Sequence, residues 1–244
     1  MKLYIEGDIG RYYVQTLCLI FFPGAGFSER EEETAKSDAV RLTLREDAQS
    51  YTAEAIMRHG GEQRSASARE LRDGIDSDER IKKRAVGRAI FEAGAELFGI
   101  RPEWGILTGV RPAKLAEQLA ESARAKGFDG AREAERILTG DYLAAPEKAH
   151  LLTEVARNNS ALRGRIGSDG CSVYISIPFC PTRCAYCSFV SYSTPRLLSL
   201  IPDYLERLCS DIRALGRLLP RIGRRVDTVY IGGGPPTTLS GEQL

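Results

Sequence analysis

The sequence predicts an α/β chain in two parts: an α+β domain with a small sheet and several helices over residues 1–167, and the first, incomplete βαβ portion of a parallel fold over residues 168–244. Three observations carry this reading. Short runs before residue 60 are apolar or alternate apolar with polar; between residues 78 and 158 apolar positions recur at helical spacing; after residue 170 a strand, a helix and a second strand follow in turn. The last order implies parallel strands, because parallel neighbours need a crossover connection, usually a helix.

In the first part, residues 12–22, 40–44 and 51–57 read as strands separated by glycine-rich or acidic connections, and they would form a small antiparallel sheet. The acidic segment 29–33 between the first two reads as an exposed loop. From Asp78 onward, Ile81, Ala85, Ala89, Ile90, Ala93 and Leu97 recur at helical spacing until Gly99 and Pro102 stop the run. Pro112 suits the first residue of a helix through Ala125, since its missing N–H would be unpaired there anyway; Leu115 and Leu119 share one face. Residues 131–138 and 146–158 repeat the helical pattern, and the polar, glycine-containing stretch 163–170 reads as a linker. Beyond it, residues 173–177 form a buried strand. Pro202 opens a helix whose buried stripe is Leu205, Leu208, Ile212, Leu215 and Leu219, and residues 226–231 supply the next strand. Gly232, Gly233 and Gly234 then make a turn, and Ser240 with Gln243 suggests the start of another helix.

Composition narrows the classes. A chain of 244 residues with 43% hydrophobic and 27% charged residues and a formal net charge of +1 reads as folded, and it lacks the basic excess expected of a nucleic-acid-binding protein. The basic clusters at 80–84 and 221–225 read as solvated surface. The apolar run 14–22 falls short of the roughly 20 residues of a membrane helix and has no basic leader or small-residue cleavage site, so a cytoplasmic protein is expected. Six cysteines without framework spacing favour thiol or metal chemistry over disulfides. Cys18 and Cys209 read as small core residues, while Cys171, at a strand entrance, is less defined.

The other three, Cys180, Cys184 and Cys187, follow the spacing C-x3-C-x2-C on a loop leaving a strand. Soft thiolate sulfur suits iron, and a cubic cluster with three protein ligands keeps one iron open to a small molecule. A structural zinc site would instead want a fourth ligand, and His59 and His150 are remote in sequence.

The segment from Tyr174 through Pro178, Phe179, Cys180, Cys184, Tyr186 and Cys187 resembles the signature of radical S-adenosylmethionine (SAM) enzymes, specifically the branch of oxygen-independent coproporphyrinogen III dehydrogenases. Gly232-Gly233-Gly234-Pro235-Pro236-Thr237 is similar to the glycine element that follows the next strand in that family, and Trp104 through Arg111, Lys114 and Leu115 looks like the HemZ-type subgroup. The resemblance implies that residues 168–244 begin an open (βα)6 partial TIM barrel preceded by a HemZ-type domain. It implies that Cys180, Cys184 and Cys187 ligate a [4Fe–4S] cluster whose fourth iron binds SAM. Gly232, Gly233, Gly234 and Thr237 would then face SAM, Tyr174 would lie beside it, and the Tyr186 backbone would meet its adenine. Arg111 and Lys114, at a helix start where free N–H groups favour an anion, are candidates to bind a substrate carboxylate.

The activity implied is oxidative decarboxylation of two propionates of coproporphyrinogen III to vinyl groups, giving protoporphyrinogen IX in haem biosynthesis. Partners would be that or a related tetrapyrrole and an electron donor such as flavodoxin or ferredoxin. Two departures bear on substrate: Phe189 stands where better characterised dehydrogenases have a further cysteine, and Pro235 occupies the variable place of the glycine element. A haem-binding chaperone on the same scaffold is therefore the alternative, with a zinc-stabilised interaction protein as a third. A full (β/α)8 barrel takes about 250 residues, so a chain with two of its strands reads as a fragment truncated at the C-terminus. Alone it is expected to be inactive and, with an incomplete parallel sheet, prone to aggregate.

Overall fold

The computed structural model describes residues 1–28, 37–72, 74, 76–108, 111–189 and 191–244; the acidic segment 29–33, and Gly109 and Val110, lie outside the described residues. The protein is mixed α/β and divides into two compact units, Met1–Ser160 and Ala161–Leu244.

Unit 1 is built on a four-stranded sheet in the order β1 (Lys2–Glu6), β2 (Ala39–Glu46), β3 (Ser50–His59), β4 (Glu62–Leu71). The sheet is mixed, not antiparallel as expected: β1 runs parallel to β2, and the other pairs are antiparallel. The reason lies in the segment read as a first strand. Residues 11–21 form a helix, α1 (Arg11–Phe21), which serves as the crossover between parallel β1 and β2. Val14, Leu17, Cys18 and Phe21 are its buried residues, a helical i, i+3, i+4, i+7 stripe, while Tyr12 and Leu19 are exposed. Cys18 is a core residue, as expected, on a helix instead of a strand. β3 turns into β4 through Gly60 and Gly61, both at positive φ, which a two-residue hairpin turn demands.

α2 (Asp78–Phe98) starts on an N-cap, Ser77, whose side chain accepts from the Arg80 N–H, and ends at Gly99 in the left-handed region with φ 67°. It packs with α1 on the sheet, where Leu3, Leu42, Met57, Ile81, Ile90 and Phe91 are among the buried core. α3 (Pro112–Ala125), α4 (Gly130–Gly140) and α5 (Pro146–Arg163) share a second core of Ala116, Leu138, Ala149, Leu152 and Ala156.

Unit 2 contains the parallel pair β5 (Gly170–Ile177) and β6 (Arg225–Gly233), joined through the short α6 (Pro195–Leu198) and the long α7 (Ile201–Arg221), with a 3-10 turn at Pro236–Thr238 after β6. Its expected burial is corrected by the structure. In β5 only Ile177 is buried, and in α7 only Leu219, with Ile212 exposed. Two strands and one long helix provide no second layer for the remaining apolar faces. Cys209 is exposed and not a core residue: it lies one turn after Leu205 on a side of α7 where Ile212 is exposed as well. At Ser240, the backbone N–H donates to Gln243 Oε1 at 2.9 Å, half of a capping box. Among the described residues no helix is long and apolar enough to cross a membrane.

Candidate metal centre

β5 and β6 position the site through their register. Tyr174 pairs with Tyr230, Ser176 with Gly232 and Ile177 with Gly233, so alternation places Tyr174, Ser176, Tyr230 and Gly232 on one face of the sheet. The opposite face carries Ile175 and Ile177, which join Phe179 and Leu239 against Leu205 and Leu208 of α7. That small core anchors the point where the chain leaves β5 for the cysteine loop.

The loop is closed at its base. The Cys180 N–H donates to Tyr192 O at 3.1 Å and the Tyr192 N–H to Pro178 O at 2.8 Å, while the buried Phe179 ring packs on Tyr192 and edge-on against Tyr204 at 5.2 Å. Tyr204, from α7, donates its hydroxyl to Ser176 O. Within the loop, Cys187 N–H donates to Cys184 O at 3.1 Å. Cys180 and Cys187 are half-buried, Cys184 is exposed, and all three thiols are free. At the closing end the Ser191 hydroxyl is buried with no partner among the described residues.

The glycine turn reaches the first cysteine. Gly234 N–H donates to Ile177 O at 2.5 Å, and a Cβ at this position would fall on Phe179 O, 2.8 Å from Ile177 O and 3.0 Å from Cys180 Sγ. Only glycine permits this approach. Gly233, with φ 97°, adopts a conformation that other residues rarely adopt. Gly232 lies beneath the stacked rings of Tyr174 and Tyr230, whose centroids are 5.5 Å apart. Thus Cys180, Tyr174 and the three glycines are brought to one end of the strand pair.

Other expected residues stand apart. Tyr186 is 90% exposed, and the Cys184 thiol beside it pushes its hydroxyl pKa up. Thr237 is exposed on the 3-10 turn; its neighbour Thr238 makes the contact with the loop, donating its hydroxyl to Phe179 O at 3.3 Å. Arg111 and Lys114 belong to unit 1, exposed at the start of α3, where Arg111 takes left-handed backbone angles (φ 66°) as the N-cap. Tyr192, Tyr204 and Tyr230 were not singled out by the sequence; Tyr230 meets Tyr174 because the register shifts by one between Cys171 and Ser172.

Among the described residues no group of three or more His, Cys, Asp or Glu side chains stands ready to hold a metal ion. The fit to an iron–sulfur cluster therefore rests on donor chemistry, three free thiols on one closed loop, and on the glycine cradle against Cys180 Sγ, not on a preformed ligand geometry.

No family model matches the chain. Over 148 residues it is 36% identical to the oxygen-independent coproporphyrinogen-III oxidase-like protein HemZ of Bacillus subtilis, an alignment that takes 60% of this chain and 28% of that protein. To the heme chaperone HemW it is 41% identical over 73 residues in Mycobacterium tuberculosis and 40% identical over 75 residues in Escherichia coli, each 30% of this chain and 18% of the relative. The chain thus spans between a fifth and a third of the HemZ-like relative and less than a fifth of these HemW proteins.

Proposed function

We propose that this chain, a relative of the HemZ-like and HemW proteins of the radical SAM group, is the cluster- and SAM-binding portion of a radical SAM oxidoreductase acting on coproporphyrinogen III. In this reading residues 168–244 begin an open (βα)6 partial TIM barrel and residues 1–167 form a HemZ-type domain. The observation that carries it is the extent of the HemZ match. Its 148 aligned residues exceed all of unit 2, so the similarity runs into unit 1, as matches of 73 and 75 residues to HemW need not.

Cys180, Cys184 and Cys187 would hold three irons of a [4Fe–4S] cluster and leave the fourth to the amino and carboxylate groups of SAM. When bound, cluster and SAM together supply a one-electron cleavage of the sulfonium that provides a carbon radical for hydrogen abstraction from a propionate. The chain's own residues orient and shield. Gly232, Gly233 and Gly234 would line the seat with backbone and Tyr174, held by Tyr230, would form one wall; the Tyr186 backbone and Thr237, both exposed here, would complete the SAM contacts. The closure at Phe179 and Tyr192 holds Cys180 against Gly234. Arg111 and Lys114 would bind propionates. After hydrogen abstraction, loss of carbon dioxide and of one electron to an external one-electron acceptor from each of two propionates would yield the vinyl groups of protoporphyrinogen IX. The reducing electron would come from a flavodoxin or ferredoxin in the cytoplasm.

The test is anaerobic reconstitution of the full-length parent, with counts of iron and sulfide, followed by coproporphyrinogen III, SAM and a reductant. The expected product carries two vinyl groups. A specific observation favours a second reading, haem carriage without turnover: the HemW relatives, together with Phe189 in place of a further cysteine. Haem transfer with no conversion of coproporphyrinogen would select it, and zinc without iron or sulfide would overturn both.

A further inference from the structure

Unit 1 holds a cavity of about 450 Å³ that the chemistry above does not use. Its floor is apolar: Ile106, Leu107 and Leu115 with the rings of Tyr13 and Tyr142. Its rim is polar, with Arg80, Lys83 and Arg84 of α2 against one carboxylate, Glu79. The size is that of small-molecule sites, and a largely apolar lining holds water poorly.

The floor is fixed by backbone contacts. Gly105 (φ 56°) packs so closely on residues 142 and 143 that a Cβ would fall on Tyr142 O, and the Ile106 N–H donates to that same carbonyl at 2.9 Å. Gly87 keeps Ile106 and the Tyr13 hydroxyl close to α2, and that hydroxyl donates to Lys83 O at 2.9 Å. A preformed, rigid apolar floor lowers the ordering cost of binding.

The rim selects the sign of the ligand. Arg84 is nearly buried and committed to Glu70 and Asp76. Arg80 and Lys83, with side chains 42% and 44% exposed, pair among the described residues with Asp76 and Glu79 on or beside their own helix, and ion pairs of exposed cations contribute little. Both cations can therefore turn to a ligand. Lys83 Nζ already stands 5.6 Å over the Tyr13 ring, at the border of floor and rim. With three cations and one carboxylate, Glu79, in the lining, a carboxylate placed here is attracted and an amine repelled.

We propose that this cavity binds a small amphipathic carboxylate, its apolar body on the floor of Tyr13, Ile106, Leu107, Leu115 and Tyr142 and its carboxylate between Arg80 and Lys83. The proposal is independent of the cluster and of the reading of unit 2. The test uses the 244-residue chain without iron, titrated by calorimetry with decanoate, decylamine and decanol. Emission from Trp104, the single tryptophan and three residues before Leu107, reports whether binding is local. Decanoate should bind at least about tenfold more tightly than decylamine and shift the Trp104 emission. A double variant, Arg80→Gln with Lys83→Gln, changes only exposed groups; it should weaken decanoate by about tenfold and leave decanol unchanged. Equal affinity for acid and amine, undiminished decanoate binding in the variant, or an unmoved Trp104 signal would overturn the proposal.

Discussion

At the scale of single residues, the sharpest constraint is at Gly234. A methyl group there would fall on the Phe179 carbonyl and lie 3.0 Å from Cys180 Sγ, so Gly234→Ala must displace either the turn or the cysteine loop. The expected outcome is destabilisation of about 1–3 kcal/mol in urea melts, together with a clear fall in iron retained after anaerobic reconstitution. Unchanged iron content would separate the glycine turn from the metal centre. A second residue prediction concerns pH. Two guanidinium nitrogens of Arg101 bind Glu92 at 2.8 Å each and hold its carboxyl below the ordinary 4.5. A depressed folded-state value means that the contribution is present above the unfolded value and is lost as pH falls through the folded one. Both groups are more than a third exposed, so Glu92→Gln should cost no more than about 1 kcal/mol at neutral pH and nothing below the carboxylate range, read from melting temperatures across pH. The sequence made the three loop cysteines legible because their spacing is itself a chemical statement. It could not tell Thr237 from Thr238, since which hydroxyl meets Phe179 depends on how the 3-10 turn winds.

At the scale of elements, legibility followed local punctuation. Ser77 and Gly99 bracket α2, and Pro112 opens α3, so both helices were readable to within a residue. α1 was not, because an apolar run without caps satisfies a strand as well as a helix; only packing decides, through the Val14, Leu17, Cys18, Phe21 stripe. β4 was missed for the opposite reason. Its inward positions are Ala66 and Ala68 among charged residues, too small to announce a strand, although Gly60-Gly61 marked the hairpin. The helical facing of α1 can be measured. Leu17→Ala should destabilise unit 1 by about 2–5 kcal/mol, whereas Leu19→Ala, two residues on and exposed, should change stability by less than about 0.5 kcal/mol. A strand over the same residues would bury both side chains alike.

At the scale of the whole molecule, the two units are unequal. Unit 1 has an extended core across sheet and helices, and unit 2 buries little beyond Ile177, Phe179 and Leu239. Amide exchange in β5 and β6 should therefore be faster than in β2 and β3, and a calorimetric scan should show unit 2 melting first. A single transition with uniform protection would contradict this. Because the chain spans 28% of its HemZ-like relative, it is also expected not to convert coproporphyrinogen on its own, which an anaerobic assay with SAM and reductant checks directly. The apolar faces of unit 2 could not be read as exposed from the sequence, since a stripe states what a helix could bury and not whether a partner layer is there. The clasp between Phe179 and Tyr192 carries a last consequence. A loop tied at its neck is a ring, and the circumference of that ring limits how far Cys184 and Cys187 can stray from Cys180. If one thiolate bound iron, the other two would meet it at a local concentration set by the ring, not by the solution. Loosening the neck, as by Tyr192→Gly, which keeps both backbone hydrogen bonds but removes the ring that packs on Phe179, would leave all three thiols in place and lower that local concentration.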